Sequence, residues 1–256
     1  MPQAQRAQAL SLGRELGQLP REQALSILAG CGITLTGQFA WGSNYTFLAR
    51  VSCEQGELQA VYKPAEGEQP LWDFPRKSLA RREVAAYLTS EALGWDLVPP
   101  TVLRPDGPAG GGSLQLYVDA DPEKHYFSFE PEDKQRLRPA ALFDVLINNA
   151  DRKGGHVILD DHGHVWLIDH GICFHREYKL RTVIWDFQEQ AIPEDLLRNV
   201  EQLRGQLEPG GLLHKAIQGL LSPPEIEAMD RRAGQLLREA RFPSPGPGRP
   251  YPWPLV

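Results

Sequence analysis

Asn148-Asn149-Ala150-Asp151-Arg152-Lys153-Gly154-Gly155-His156, followed further on by Ile168-Asp169-His170-Gly171, is the stretch on which the fold turns. Between them, Val157-Ile158-Leu159 and His164-Val165-Trp166-Leu167-Ile168 read as two strands, because apolar residues flank the turn Asp160-Asp161-His162-Gly163. Pairing Leu159 with His164 sets His156 opposite Leu167 and brings Asp169 out beside Gly154. Two carboxylates, Asp151 and Asp169, and an imidazole able to bind metal then converge at one end of a hairpin. Phosphoryl transfer needs such a grouping: one carboxylate to orient the attacking hydroxyl, and further ligands to hold a metal on the phosphates. The plainer alternatives are a helix-capping turn of solvated charges for Asp151 and a turn aspartate for Asp169. The second is harder to sustain, because Trp166-Leu167-Ile168 just before it read as buried.

Outward from this stretch the chain changes texture. Upstream, Glu132 to Asn148 reads as a helix whose apolar Leu142, Phe143, Val145, Leu146 and Ile147 run into two asparagines. Downstream, Glu194 to Leu207, Gly211 to Leu221 and Pro223 to Arg241 are helix candidates, and residues 242–256 hold six prolines, which predicts an extended strap or a loose end. The first half is richer in strands. A short helix over Arg21 to Leu28 stops at Gly30 and Gly32. Then Ile33 to Thr36, Thr46 to Val51 and Leu58 to Lys63 read as strands around the turns Gly42-Ser43-Asn44 and Glu54-Gln55-Gly56-Glu57. A helix over Leu79 to Leu93 is closed by Gly94. Val102-Leu103 and Ser113 to Val118 are strands around the Gly/Pro-rich loop Pro105 to Gly112. A small sheet-rich lobe with one helix, followed by a larger helical lobe, is an α+β bilobal plan. It predicts a helical extension over 1–32, a sheet-rich lobe over 33–118, a helical lobe over 119–241 and a Pro-rich tail over 242–256.

The helix Leu79 to Leu93 carries an anomaly. Ala80, Val84, Tyr87 and Leu88 form an apolar stripe at helical spacing, and Glu83 lies within it. A carboxylate facing a core must be paired or hydrogen-bonded, because burying it alone costs several kcal/mol. Lys63, at the end of its strand, is the natural partner; otherwise Glu83 reaches solvent at the stripe's edge and Lys63 is a surface lysine. The Gly42-Ser43-Asn44 turn either lays backbone N–H groups and hydroxyls over phosphates or is an ordinary hairpin turn. Five of the seven histidines fall between His156 and His175, yet no metal-ligand spacing such as CxxC supports a structural zinc site. The basic loop His175-Arg176-Glu177-Tyr178-Lys179-Leu180-Arg181 suits an acidic substrate or is simply solvated.

Composition sets outer limits. A chain of 256 residues with 41% hydrophobic and 23% charged residues is ordinary for a globular protein and can bury a substantial core. A net charge of -6 argues against broad nucleic-acid binding, and no apolar run approaches the roughly 20 residues of a membrane span. Met1 to Leu19 lacks the apolar core of a signal peptide. Cys31, Cys53 and Cys173 are few and scattered, a pattern expected of a reducing cytoplasm rather than a disulfide scaffold.

These pieces, in this order, resemble the protein-kinase-like superfamily, and within it the phosphatidylinositol 3-/4-kinase branch, from about Phe39 to Asp169. Val61-Tyr62-Lys63-Pro64 with Glu68-Gln69-Pro70 is similar to the lysine strand of type II phosphatidylinositol 4-kinases. Glu83-Val84-Ala85-Ala86-Tyr87-Leu88, with Gly94 and Leu97-Val98-Pro99, resembles their next helix and its exit, and Ser113 to Val118 their adenine-facing strand. Small bacterial kinase-like proteins share the layout, and HipA-type kinases share the aspartate loop more distantly. The resemblance implies a bilobal protein-kinase-like fold with ATP and a divalent metal, Mn²⁺ or Mg²⁺, as cofactors. Ser43 and Asn44 would lie over the phosphates, and Lys63, paired with Glu83, would bind them. Main chain from Gln115 through Leu116 and Tyr117 to Val118 would take the adenine. Asp151 would orient the acceptor hydroxyl and Asp169 would hold the metal.

The sequence departs from that family at three positions. His156 stands where these kinases usually place a metal-binding asparagine; imidazole is a poor Mg²⁺ ligand and a better Mn²⁺ ligand, so a Mn²⁺ preference or dependence on one metal held by Asp169 is expected. Lys153 stands where phosphoinositide kinases usually have histidine and Ser/Thr protein kinases lysine; a cation there stabilises the transferring phosphoryl group. His170 replaces the usual phenylalanine. The leading reading is an active phosphotransferase acting on a protein hydroxyl, an inositol lipid or a small molecule. The lack of a membrane-anchoring patch or cysteine cluster favours protein, whereas the fold resemblance favours lipid, and fold does not fix function. The alternatives are a nucleotide-binding pseudokinase scaffold without turnover, in which His156 marks a degraded metal site, and nucleotidyl transfer. The tail, Pro243 to Pro254, is either a polyproline ligand for a partner or packs back on its own lobe through Tyr251 and Trp253.

Overall fold

A computed structural model of the chain describes residues 19–39, 44–121 and 123–256. It falls into two compact units, Met1–Val84 with Pro99–Asp119, and Ala85–Val98 with Ala120–Val256. In the first, α1 (Arg21–Gly30) is followed by β1 (Gly32–Gln38), β2 (Phe47–Cys53) and β3 (Gly56–Pro64). After α2 (Leu79–Leu93), through which the division runs, come β4 (Thr101–Arg104) and β5 (Gly112–Leu116). The strands form one antiparallel sheet in the order β1-β2-β3-β5-β4. Strand alternation decides its faces: Leu58, Ala60 and Tyr62 of β3 are buried in one core with Ala24, Ile27 and Leu28 of α1 and Leu114 of β5. Lys63 therefore lies on the opposite face. Arg104, buried at the end of β4, donates to the carbonyls of Leu28 (2.9 Å) and Cys31 (3.0 Å), which satisfies the end of α1.

The second unit contains α3 (Pro131–Gln135), α4 (Arg138–Ile147), the hairpin β6 (Val157–Leu159) and β7 (Val165–Leu167), α5 (Glu194–Leu207), α6 (Leu212–Ile217) and α7 (Pro223–Glu239). Leu196, Val200, Leu203 and Leu207 make the buried stripe of α5, which packs on α7, where Ile226, Met229, Ala233 and Leu236 are buried. Ser222 and Glu225 cap α7 reciprocally, with the Ser222 N–H and Oγ both bonded to Glu225 Oε2. An antiparallel sheet with segregated helices is the α+β class predicted from the sequence. Among the described residues no helix is long and apolar enough to cross a membrane.

Four expectations are corrected. Cys31 and Cys53 form a disulfide, with Cα atoms 5.3 Å apart, so the inference from scattered thiols to a reducing compartment loses its basis. The 22-residue separation hid the pair, but Gly32 pairs with Ser52, and that register brings their outer neighbours together. The helix predicted over Glu132 to Asn148 is two, because Pro139 has no N–H to donate and fits only the first turn of a new helix. The helix predicted over Gly211 to Leu221 stops at Ile217, ahead of Gly219. The hairpin is shifted by one residue: Leu159 pairs with Val165 and Val157 with Leu167. Asp160 causes the shift. Its N–H donates to the His164 carbonyl, and its Oδ1 accepts the N–H groups of His162 and His164. The loop is therefore three residues long, with Gly163 at φ 75°. The Ile168 N–H then reaches the His156 carbonyl at 3.1 Å.

Candidate active-site groups

In the first unit Lys63 and Glu83 meet. Glu83 is 2% exposed, and Lys63 Nζ donates to its Oε1. β3 positions the lysine because its neighbour β5 approaches closely at Gly112, where a Cβ would run into the Lys63 carbonyl. The first turn of α2 is fixed by Glu68, whose Oε1 accepts the Ala80 N–H at 2.9 Å. Gln115 sits between Val61 and Thr101 in the sheet and is buried, with its Nε2 donating to Thr101 Oγ1 at 2.8 Å. The Leu116 N–H is taken by Pro100 and the Tyr117 N–H by Gln59, so two of the amides from Gln115 to Val118 serve the fold. Asn44 Oδ1 accepts the Gln69 N–H at 2.7 Å, which ties the turn before β2 to the segment after β3. Ser43 lies outside the described residues.

In the second unit α4 ends at Asn148 in the left-handed region (φ 52°). The Asn148 amide donates to the carbonyls of His175 and Glu177 and accepts the Lys179 N–H, so the basic loop is anchored there. Beneath lies a polar network that the sequence reading missed. Asp144 and Arg152, both with fully buried side chains, pair through Arg152 Nε at 3.0 and 3.1 Å from the two carboxylate oxygens. Asn149 Nδ2 (3.1 Å) and Thr182 Oγ1 (3.0 Å) also donate to Asp144. The Arg152 guanidinium also reaches forward: Nη1 donates to the carbonyl of Ile168 at 2.7 Å, and Nη2, 3.0 Å from Asp144 Oδ1, lies 2.8 Å from His170 Nε2. One guanidinium thus follows Asp151 in sequence and holds both neighbours of Asp169. A signal was available, since Asp144 interrupts the apolar run Leu142 to Ile147 just as Glu83 interrupts its stripe.

On this base stand the chemical groups. The Asp151 N–H donates to Asn149 Oδ1 at 2.9 Å, and its carboxylate lies 3.4 Å from Lys153 Nζ. Burial pushes the Asp151 pKa up to about 6; Lys153 and Arg181 oppose the rise and Asp169 adds to it. Asp169 adopts φ 60°, an uncommon backbone for a non-glycine residue. Its Oδ2 is 3.3 Å from His156 Nε2, while His156 Nδ1 faces the Lys153 N–H at 3.4 Å. Asp151, Lys153, His156 and Asp169 are thus gathered around one loop. A carboxylate oxygen facing an imidazole nitrogen is a donor pair that would suit a divalent ion. Among the described residues no group of three or more His, Cys, Asp and Glu gathers as a metal cage. Two other histidines serve elsewhere: His164 Nε2 contacts the Asp96 carbonyl at 2.7 Å, and His175 Nδ1 accepts the Glu177 N–H.

The fold that carries these groups is kinase-like. Helicobacter pylori proinflammatory kinase CtkA matches it with a TM-score of 0.51 at 12% identity, over 84% of this chain and 94% of that one. The chain belongs to the family of Protein Rv2133c of Mycobacterium tuberculosis, to which it is 41% identical over 269 aligned residues, 91% of this chain and 96% of the relative. Phosphatidylinositol 4-kinase gamma 4 of Oryza sativa is 30% identical over 59% of this chain, and that of Arabidopsis thaliana 31% over 44%; the chain spans 33% and 24% of their lengths. No family model matches the chain.

Proposed function

We propose that the chain is an ATP-dependent phosphotransferase of the phosphatidylinositol 3-/4-kinase-like branch, moving the γ-phosphate to a hydroxyl acceptor. The observation that carries this reading is Asp151: a half-buried carboxylate lifted to about 6, with Lys153 beside it and Asp169 on the same loop system. A base with that pKa is ionised at neutral pH yet basic enough to take a hydroxyl proton as the acceptor attacks. Lys153 steadies the transferring phosphoryl charge. Lys63, held straight by Glu83, takes the nucleotide phosphates, and the strand end at Gln115 to Val118 takes the adenine. The Leu116 and Tyr117 amides are used by the sheet, so the adenine edge falls to the remaining main-chain groups of Gln115 to Val118. Asp169 and His156 would hold the divalent metal, which supplies charge neutralisation on the phosphates; the imidazole favours Mn²⁺ over Mg²⁺.

The test is transfer from γ-labelled ATP with Mn²⁺, for the protein alone and with phosphatidylinositol vesicles, with Asp169→Ala as control. Label in lipid that vanishes in the variant identifies a lipid acceptor, and label on protein a protein acceptor. ATP binding without label sinks the proposal and leaves the second reading, a nucleotide-binding scaffold. His156 at the usual asparagine position is the observation that favours it.

A further inference from the structure

We infer that the Pro-rich segment 248–256 is a positioning element of the catalytic loop, an inference that rests on the phosphotransferase reading above. The loop from Asp151 to His156 contains two successive glycines, which hold no conformation by themselves. Its inner side is fixed: Arg152 is locked on Asp144, its N–H donates to the Arg181 carbonyl, and its own carbonyl accepts the Val183 N–H. Its outer side is fixed by the Pro-rich segment. The Leu255 carbonyl accepts the Gly154 N–H at 2.7 Å, and the Pro250 carbonyl accepts the Thr182 N–H at 3.1 Å and the Trp185 indole N–H at 3.3 Å. Both main-chain donors belong to the catalytic framework: Gly154 follows Lys153, and Thr182 bonds Asp144 through its hydroxyl.

The fit at Gly154 is close. A Cβ there would stand 2.8 Å from the Phe127 ring and 3.5 Å from the Leu255 carbonyl. Pro250, Pro252 and Pro254 have no N–H and a fixed φ, so the segment offers carbonyls rather than main-chain donors and has less freedom to lose on docking. It is not held by burying its largest ring, because Trp253 is 83% exposed. Tyr251 and Leu255 instead line a cleft of about 280 Å³ with Tyr126, Phe127, Val183 and Trp185. With the segment in place, Lys153 is pinned between two fixed neighbours and stays 3.4 Å from Asp151. Without it, Gly154-Gly155 loosens and the cation leaves its position.

The experiment compares the full chain with one ending at Pro247, then adds the synthetic peptide 248–256 to the shortened chain. Turnover should fall about 10²-fold, as for an ångström-scale misplacement, at unchanged KM for ATP. The peptide should restore it saturably, and a peptide of 248–253, lacking Leu255, should not. Unchanged turnover overturns the inference, as does increased turnover that the peptide suppresses, which would make the segment a cover over the acceptor site. If the shortened chain fails to unfold cooperatively, Trp185→Phe in the full chain replaces it, with a lower kcat expected at unchanged KM for ATP. Amide exchange of Gly154 and Thr182, measured without substrate, separates the two claims. A full chain with no turnover refutes the phosphotransferase reading, whereas unprotected amides at both positions refute the strap.

Discussion

Among the described residues two buried ion pairs, one in each unit, differ in how completely they are sealed. Both side chains of Arg152–Asp144 are inaccessible, and the pair is surrounded by Asn149, Thr182, His170 and the Ile168 carbonyl. In Lys63–Glu83 the carboxylate side chain is 3% exposed but the lysine 22%. Taking two charges out of water costs several kcal/mol per ion, and only a full set of partners offsets it. The sealed pair has that set and holds a framework. The half-open pair leaves its cation partly exposed, as the proposed contact with nucleotide phosphates requires.

The sharpest way to break this contrast is to remove one partner of each. Arg152→Ala leaves Asp144 charged and enclosed, so a loss of about 3–5 kcal/mol in urea unfolding is expected. Lys63→Ala leaves Glu83 within reach of water through the space vacated, and about 1–3 kcal/mol is expected, with weakened ATP binding as the larger consequence. Equal stability losses would erase the distinction.

The next effect follows from the raised pKa of Asp151. The native state keeps this proton to about pH 6, while the unfolded chain releases it near the ordinary 3.8. The native state binds more protons between those values, so stability falls as pH rises through that window and stays lower above it. Asp151→Asn should therefore gain about 1–3 kcal/mol at pH 7.5 in denaturant melts, and the gain should vanish below pH 4. Turnover of the unmodified chain should rise with pH, with a midpoint near 6. The smallest effect concerns the metal: with His156 beside Asp169, Mn²⁺ should support turnover a few-fold better than Mg²⁺ at equal concentration, and His156→Asn should narrow the difference.

What could be read from the sequence follows the same contrast. Lys63 and Glu83 were legible because strand alternation and a helical stripe each assign a face, and a charge on an apolar face stands out. The boundaries of α2 and α5 were legible for the same reason, each being one periodic run with clear ends. Asp144 gave the same signal inside α4, but its partner Arg152 sits in a loop without periodicity, so nothing local pointed from one to the other. The one-residue shift of the hairpin came from Asp160 side-chain bonds that pattern alone does not register, and the Cys31–Cys53 pair from strand register. The docking of 248–256 depends on its carbonyls, which every residue possesses and no sequence pattern displays.

The central claim, that Asp151 orients an acceptor hydroxyl for phosphoryl transfer, is tested most directly by measuring ATP affinity and turnover together for the unmodified chain and Asp151→Asn. A turnover loss of about 10³-fold is expected, with the ATP Kd unchanged within about twofold. Equal turnover in the two proteins, or an unmodified chain that binds ATP and transfers nothing, would contradict it.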